Sequence, residues 1–240
     1  MKTSSFTAHN IRLDDGTLTK PEQPWQMQDV PLLKFSKEFL GLVFPQGFAG
    51  KRLVDLGCLE GGYAVEFARA GFEALGIEVR ASNFENCRRV KAGTNLPNLS
   101  FACDDVLNLA NYGSFDVVFC CGVLYHLDQP RKFVELIAQV CRRVAIIDTH
   151  IAKTERNPEF RLSEITENEG WKGRWFAELD DSKRHDDKWS SWGNRKSFWL
   201  MQRDLMQGLL AIGFTMVLEC PTFEPYLERT HRVTLVALKP

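Results

Sequence analysis

The chain has 240 residues, a length that fits one large domain or two small ones. Hydrophobic residues make up 44% and charged residues 25%, a composition that excludes a disordered or collagen-like chain. The 30 Lys and Arg against 31 Asp and Glu give a net charge of -1, which excludes a chain-wide cationic surface for a nucleic acid backbone.

The lengths of the apolar runs and the positions of the cysteines indicate the cellular compartment of the protein. No continuous apolar run reaches the roughly 18 residues of a membrane span, and the N-terminal residues lack the apolar core of a signal peptide. The seven cysteines are odd in number, lie mostly within apolar runs and form no C-x-x-C pair. We therefore expect a cytoplasmic protein with no disulfide framework, no membrane partner and no cysteine zinc site.

Residues 1–50 are predicted to form an N-terminal extension. Alternating residues on both sides of the Asp15-Gly16 turn predict a β-hairpin over 9–19. A helix over 32–43 follows. The extension leads into a core that we expect to occupy 51–240.

The core alternates short apolar runs with amphipathic stretches, the pattern of a parallel sheet covered by helices on both faces. We expect an α/β, Rossmann-like, doubly wound and mostly parallel seven-stranded sheet. Its predicted strands are 51–56, 72–78, 99–103, 115–121, 143–148, 214–219 and 231–238. Its predicted helices are 63–70, 81–92, 130–141 and 202–212.

A tryptophan-rich insertion over 151–197 interrupts this alternation after the fifth strand. Five of the six tryptophans fall within 171–199, and a connection this long is uncommon without a function. We expect two or three short helices here that cap an active site, or that use the rings as their own small core. Trp175 and Trp192 are the rings expected to face a substrate, and Arg174 is expected to suit an anionic one.

A glycine-rich segment, Val54-Asp55-Leu56-Gly57-Cys58-Leu59-Glu60-Gly61-Gly62-Tyr63, joins the first strand to the first helix. Glycines at this edge let a ligand approach the backbone and the free N–H groups of the helix. A dinucleotide fingerprint would need a glycine where Leu59 stands, which argues against a nicotinamide cofactor. Glu78 ends the second strand, where its carboxylate can accept ribose hydroxyls.

The segment resembles motif I of class I S-adenosylmethionine-dependent methyltransferases, and the resemblance extends from Lys51 over the core. It implies S-adenosylmethionine as the donor and S-adenosylhomocysteine as the product. It also implies donor contacts from Asp55, Gly57, Cys58, Glu60, Gly61, Tyr63 and Glu78. Asp105 would accept from the adenine amino group and Val106 would pack on the ring, with Asp104 as the alternative register.

The segment after the fourth strand, G-V-L-Y-H-L-x-x-P, resembles that of the tRNA wobble-uridine carboxymethyltransferases and related methyltransferases. The resemblance implies that Cys121 and Tyr125 lie at the donor, and that Tyr125 and Arg232 hold the extra carboxylate of carboxy-S-adenosylmethionine. The tRNA enzymes carry a longer N-terminal region than the 50 residues here, and the net charge of -1 gives RNA no electrostatic support. A tRNA acceptor is therefore kept as the alternative.

His126 and His150 follow the fourth and fifth strands, at the edge where ligands bind in such sheets. Either imidazole could take a proton from an acceptor hydroxyl, or could instead order its loop. A metal site from these two rings and Asp148 is not expected, because no helical H-x-x-x-H pair supports it.

The sequence therefore predicts an S-adenosylmethionine-dependent methyltransferase that acts on a small-molecule acceptor, with transfer to oxygen expected. The alternative is methyl or carboxymethyl transfer to tRNA. A third hypothesis is a catalytically silent nucleotide-binding module, which Leu59 in the glycine loop keeps open.

Overall fold

The structure is a computed structural model that describes residues 5–155, 160–180, 183, 187–220 and 231–240. Its helices are α1 (Pro31–Val43), α2 (Gly62–Ala70), α3 (Ala81–Ala92), α4 (Pro130–Val140) and α5 (Gln202–Ala211). Its strands are β1 (Arg52–Leu56), β2 (Glu73–Glu78), β3 (Leu99–Cys103), β4 (Phe115–Cys121), β5 (Cys141–His150), β6 (Thr166–Asn168), β7 (Trp171–Ala177), β8 (Lys196–Leu200), β9 (Met216–Glu219) and β10 (Arg232–Leu238). Short 3-10 helices cover Met27–Asp29, Val106–Tyr112 and Leu124–His126.

The main sheet has seven strands in the order β3-β2-β1-β4-β5-β10-β9. β2 pairs in parallel with both β1 and β3, whereas β10 runs antiparallel to β5 and β9. The predicted Rossmann-like sheet, mostly parallel and seven-stranded, is confirmed. The strand order reverses between β1 and β4, the position at which open α/β sheets bind ligands beyond the carboxyl ends of their strands.

The chain divides into two compact units, the first comprising Met1–Asn108 with Ser114–Phe119 and the second comprising Leu109–Gly113 with Cys120–Pro240. In the first unit, β1 is buried along most of its length because helices cover it. Phe48 stacks on Phe72 with ring centroids 4.3 Å apart, and Phe67 meets Phe72 edge-on. This aromatic packing fixes α2 against the start of β2.

In the second unit, the tryptophan-rich insertion forms a three-stranded antiparallel sheet in the order β6-β7-β8. The expectation of short helices is wrong here. β7 and β8 are rich in aromatic residues, which favour the pleated surface of a sheet. Gly173 permits their close pairing, because a Cβ at this position would lie 2.3 Å from the Trp199 carbonyl oxygen.

The predicted N-terminal hairpin is reduced to one antiparallel bridge between Arg12 and Leu18. Its turn is nevertheless formed, since Leu13 N donates to Thr17 O at 2.8 Å and Thr19 N donates to Ile11 O at 3.0 Å. The other predicted elements match within two or three residues. None of the helices in the described part of the chain has the length and apolar character needed to cross a membrane.

Candidate functional site

The glycine-rich loop between β1 and α2 turns through left-handed backbone conformations. Gly57, Leu59 and Gly61 have φ angles of 64°, 53° and 83°. Leu59 therefore adopts the conformation that glycine takes most easily, and its N–H donates to Glu78 Oε2 at 3.0 Å. The loop is thus attached to the end of the neighbouring strand β2.

Glu78 is buried at the carboxyl end of β2. Its Oε1 accepts from Arg80 N at 2.8 Å and from Asn83 Nδ2 at 3.3 Å. Burial raises the pKa of Glu78, although these hydrogen bonds oppose the rise. Asn83 is also buried, and its Oδ1 has no hydrogen-bond partner among the residues that the structure describes. A carboxylate beside an unsatisfied amide oxygen suits the two hydroxyl donors of a ribose.

Asn83 was not predicted as a site residue, although its spacing from Glu78 could have indicated it. It stands in the first turn of α3, five positions after Glu78. Asp105 follows β3 and accepts from Leu107 N at 2.9 Å, which caps the Val106–Tyr112 3-10 helix. Asp104 accepts from Asp105 N and from Asn108 Nδ2. The adenine contacts expected of Asp105 and Val106 remain predictions.

Asp55 is buried beneath the loop and accepts from Ala64 N, in the first turn of α2, at 3.2 Å. Burial raises the pKa of Asp55 to about 8, and the nearby Glu78 charge adds to the rise. Asp55 therefore fastens α2 to β1 from below the loop. The neutral carboxyl predominates at neutral pH.

We expect the D55N variant to gain stability over the wild type as the pH rises. The pKa of Asp55 is higher in the folded chain than its ordinary value of roughly 4, so folding takes up a proton between about pH 4 and pH 8. The free energy of unfolding of the wild type falls across this range, and the amide variant lacks that fall. Urea titrations at both pH values measure the difference. An equal pH response in D55N and in the exposed-site control D29N would contradict the assignment.

Glu60 lies on the other side of the loop and contacts the N-terminal extension. Its fully buried carboxylate accepts the successive backbone N–H groups of Thr7, Ala8 and His9. His9 Nδ1 in turn accepts from Gly62 N at 3.0 Å. A Cβ on Gly62 would lie 2.8 Å from the His9 ring, so glycine is required for this approach. Glu60 thus anchors residues 7–9 to the loop, and the donor contact expected of it remains a prediction.

Cys58 and Tyr63 also pack inside the first unit. Cys58 is buried with its Sγ 3.9 Å from that of Cys87, and all seven cysteines are free thiols. Tyr63 lies edge-on to His9, and its ring centroid is 4.8 Å from that of Phe119. These contacts position the loop, and the donor contacts expected of both side chains remain predictions.

We expect the contact between residues 7–9 and the loop to weaken in acid. Burial lowers the pKa of His9 to about 4, against the opposing charge of Glu60, so the folded ring stays neutral and accepts from Gly62 N–H. The released ring binds a proton below about pH 6.5, so attachment is lost as the pH falls from there toward 4.

Hydrogen exchange of the amides at positions 7–9 and 62, corrected for intrinsic rates, measures this attachment. Exchange should accelerate in acid, and E60Q should accelerate it about tenfold at neutral pH by removing charged acceptors. The exposed control E22Q should leave it unchanged. Equal protection in E60Q and the wild type would refute the anchor.

In the second unit, Arg232 begins β10 and forms an ion pair with Asp148 on β5. Arg232 Nε donates to Asp148 Oδ1 at 2.6 Å, and Thr234 Oγ1 donates to Asp148 Oδ2 at 2.7 Å. Burial alone would lower the pKa of Arg232, but Asp148, Cys121 and Tyr125 outweigh it and raise the pKa. Arg232 is therefore paired with Asp148 within the sheet, and its contact with the carboxylate of a carboxylated donor remains a prediction.

Cys121 and Tyr125 adjoin this ion pair. Cys121 Sγ lies 3.6 Å from Asp148 Oδ1, and the Arg232 guanidinium lies 5.9 Å from the centre of the Tyr125 ring. Burial raises the pKa of Tyr125, with Arg232 opposing the rise by its charge and a hydrogen bond. Tyr125 is thus held as a neutral phenol against the ion pair.

A cavity of about 340 Å³ lies within the second unit. His150 and Phe176 both stack on Trp199, each at an interplanar angle of 18°, and Tyr125 meets His150 edge-on. The described residues that line the cavity include two carboxylates but neither lysine nor arginine. They are Tyr125, His126, His150, Phe160, Phe176, Ala177, Glu178, Leu179, Asp187, Trp189, Ser190 and Trp199.

His126 and Glu178 form a hydrogen-bonded pair on the wall of this cavity. His126 Nδ1 lies 3.2 Å from Glu178 Oε1, and the Glu178 side chain is 3% exposed. Glu178 also accepts from Ser197 Oγ and from Ser191 N. Burial alone would raise the pKa of Glu178, but the hydrogen bonds from His126 and Ser197 prevail and lower it. An ionised partner at Nδ1 places the ring proton there and leaves Nε2 as an acceptor.

The structure places three of the expected substrate residues away from the cavity lining. The Arg174 guanidinium is buried and donates to the carbonyl oxygens of Lys153, Thr154 and Ser163, so it fastens the insertion. Trp175 packs on Phe198, and Trp192 is 39% exposed. The rings that line the cavity are instead those of Tyr125, His126, His150, Phe160, Phe176, Trp189 and Trp199.

Glu178 and the aromatic wall were missed from the sequence. The usable signal was the two-residue alternation that places Phe176 and Glu178 on one side of the extended chain at β7. Because helices were expected over 151–197, this alternation was not interpreted as a strand. Among the described residues, no cluster of three His, Cys, Asp or Glu could hold a metal ion.

Part of the chain is similar in sequence to known methyltransferases. Residues 54–147 match the family model described as a methyltransferase domain. The ubiquinone biosynthesis O-methyltransferase of Acinetobacter baumannii (strain AYE) is 29% identical over 123 residues, which are 50% of each protein. That of Ralstonia nicotianae is 33% identical over 96 residues, 39% of this chain and 40% of the relative. The chain thus spans about half the length, or less, of these curated relatives.

Solved structures extend the likeness over most of the chain. The N-terminal domain of EvdMO1 with bound S-adenosylhomocysteine has a TM-score of 0.67 at 21% identity, with 87% of this chain and 81% of that chain covered. Magnesium protoporphyrin IX methyltransferase from Synechocystis PCC 6803, also with S-adenosylhomocysteine, has a TM-score of 0.58 at 17% identity, with 89% and 83% covered. These solved structures show that the chain has a Rossmann-like fold, and the match to a methyltransferase domain covers residues 54–147.

Proposed function

We propose that this protein transfers a methyl group from S-adenosylmethionine to a hydroxyl group of a small aromatic molecule. The observation that carries this proposal is the His126–Glu178 pair on the wall of an aromatic cavity. The names of the relatives support it, since they are O-methyltransferases of ubiquinone biosynthesis.

The first unit supplies the groups that would hold the donor. Glu78 and Asn83 offer acceptor oxygens for the ribose hydroxyls, and the left-handed loop at Gly57 to Gly61 adjoins Glu78 through the hydrogen bond from Leu59 N. Asp105 and Val106 would take the adenine. When bound, S-adenosylmethionine supplies a methyl group on a positively charged sulfur.

The cavity selects a flat and uncharged acceptor. Its volume of about 340 Å³ suits a molecule with one ring, and its rings offer faces and edges for stacking. Because Glu178 and Asp187 are the charged groups among its described lining residues, an anionic acceptor would be repelled. We therefore replace the anionic acceptor expected from the sequence with a neutral phenol.

His126 acts as the general base. A phenol is a weak nucleophile until its proton leaves, and Nε2 of His126 is the acceptor on the cavity wall. With the donor bound, His126 would take the proton of the acceptor hydroxyl while the methyl group passed from sulfur to that oxygen. His150, stacked on Trp199, shapes the wall, so we assign the proton transfer to His126 rather than to His150.

The tRNA alternative needs Arg232 for the extra carboxylate of the carboxylated donor. Asp148 already pairs with that guanidinium. We therefore propose the ordinary donor and a small-molecule acceptor. A catalytically silent nucleotide-binding module would not need the His126–Glu178 pair on a cavity wall, so this pair argues against the third hypothesis.

The test is transfer of a deuterium-labelled methyl group, followed by mass spectrometry of the products. We expect labelled methyl ethers from 4-methylcatechol and related phenols, and none from cis-1,2-cyclohexanediol, which matches the hydroxyl arrangement without the aromatic ring. Unmodified tRNA transcripts serve as a third set of acceptors. Transfer to the saturated diol at a similar rate, or to tRNA alone, would overturn the proposal.

A further inference from the structure

We infer that Glu178 and Ser197 are positioning residues that hold His126 in the tautomer and orientation of a general base, an inference that rests on the proposed function. No motif links the three residues. Glu178 is 52 positions from His126, and Ser197 is 19 positions from Glu178.

The register of the small sheet brings the three side chains together. Phe176 pairs with Ser197 and Ala177 pairs with Lys196 across β7 and β8. Glu178 N then donates to Arg195 O at 3.0 Å, which continues the pairing beyond β7. Glu178 therefore lies opposite Arg195, two positions beyond the Phe176–Ser197 pair, and its side chain is on the same face as that of Ser197.

The same strand also fixes the backbone that carries His126. Phe198 N, on β8, donates to Leu127 O at 2.8 Å, one residue after His126. β8 thus holds the histidine backbone through Phe198 and the histidine ring through Ser197 and Glu178. Both ends of this arrangement rest on adjacent residues of one strand.

The environment keeps the Glu178 carboxylate charged while excluding water from it. Its side chain is 3% exposed, and Ser191 N and Ser197 Oγ satisfy the oxygens that His126 does not fully use. A buried carboxylate with these donors stabilises the imidazolium that forms when the ring takes a proton. The other titratable groups lining the cavity with His126 are Tyr125, His150 and Asp187.

The kinetic test compares two acceptors that differ in their need for a base. 4-Methylcatechol keeps its proton at neutral pH, whereas 4-nitrocatechol is largely ionised there. The anion should bind more weakly, so kcat is compared at saturating concentrations of each acceptor. We expect E178A to lower kcat about 10- to 100-fold with 4-methylcatechol and less than about threefold with 4-nitrocatechol. S197A should lower kcat less and keep the same preference. E167A, which removes an exposed carboxylate from β6, should leave both rates unchanged.

Nitrogen NMR of the histidine rings tests the positioning without turnover. In the wild type, His126 should carry its proton on Nδ1, and in E178A this tautomer should give way to a mixture. The H126N spectrum identifies the resonance, and S197A provides a milder variant should E178A fold poorly. Equal losses with the two catechols, or an unchanged tautomer in E178A, would overturn the inference. Absence of transfer to every acceptor by the wild type, with the tautomer shift observed, would overturn the proposed function alone.

Discussion

The H126N variant should lose methyl transfer to 4-methylcatechol by about 10²- to 10⁴-fold in kcat, the range that a general base contributes. Asparagine retains a polar side chain at the cavity wall but cannot take the phenol proton. Affinity for S-adenosylhomocysteine should stay within about twofold of the wild type, because the donor groups belong to the glycine loop, β2 and the residues after β3.

The second histidine predicted from the sequence provides the comparison. His150 packs against both Trp199 and Tyr125, so H150N should reduce transfer less than about tenfold, by loosening the cavity wall. Steady-state rates with both variants decide between the two rings. If H150N proves the more damaging variant while H126N keeps a third or more of the activity, the assignment of the base is reversed.

The E78A variant should bind S-adenosylhomocysteine at least about 100-fold more weakly than the wild type, a loss near 2.7 kcal/mol. Two hydrogen bonds from ribose hydroxyls to a buried carboxylate account for a loss of this size. Glu78 also accepts from Leu59 N, so part of the effect comes from the loop itself. Calorimetry gives the affinity.

Two further variants separate these contributions. E78Q keeps an oxygen for Leu59 N but loses the charge, and it should fall between E78A and the wild type. E73A removes an exposed carboxylate from the first position of the same strand and should bind normally. Unchanged affinity in E78A would remove Glu78 from the donor site and with it the role proposed for Asn83.

The sheet and its glycine loop could be predicted because local sequence carries them. Buried apolar strands alternate with amphipathic helices, and the turns at Gly57 and Gly61 need left-handed φ angles. The strands of the insertion were not predicted, because the expectation of helices rested on the length of 151–197 and not on the pattern of its residues. Aromatic residues on β7 and β8 favour a sheet. The need for glycine at position 173 becomes visible only when β8 lies beside it, because a Cβ there would clash with the Trp199 carbonyl oxygen.

The candidate site was predictable only in part for a related reason. His126 was identified because it follows β4, and strand position is visible in the sequence. Glu178 was not, because its meeting with His126 depends on the pairing of β7 with β8. Arg174 was assigned to a ligand on its charge and Arg232 on a family resemblance, whereas carbonyl groups and Asp148 accept their hydrogen bonds within the fold.

Native mass spectrometry of the purified protein tests the central claim most directly. The protein would be incubated with an equimolar mixture of S-adenosylmethionine, carboxy-S-adenosylmethionine and reduced nicotinamide adenine dinucleotide. We predict one bound S-adenosylmethionine per chain, displaced by S-adenosylhomocysteine and strongly reduced in E78A but not in E73A. Retention of the nicotinamide cofactor, preference for the carboxylated donor, or no bound nucleoside would contradict the account.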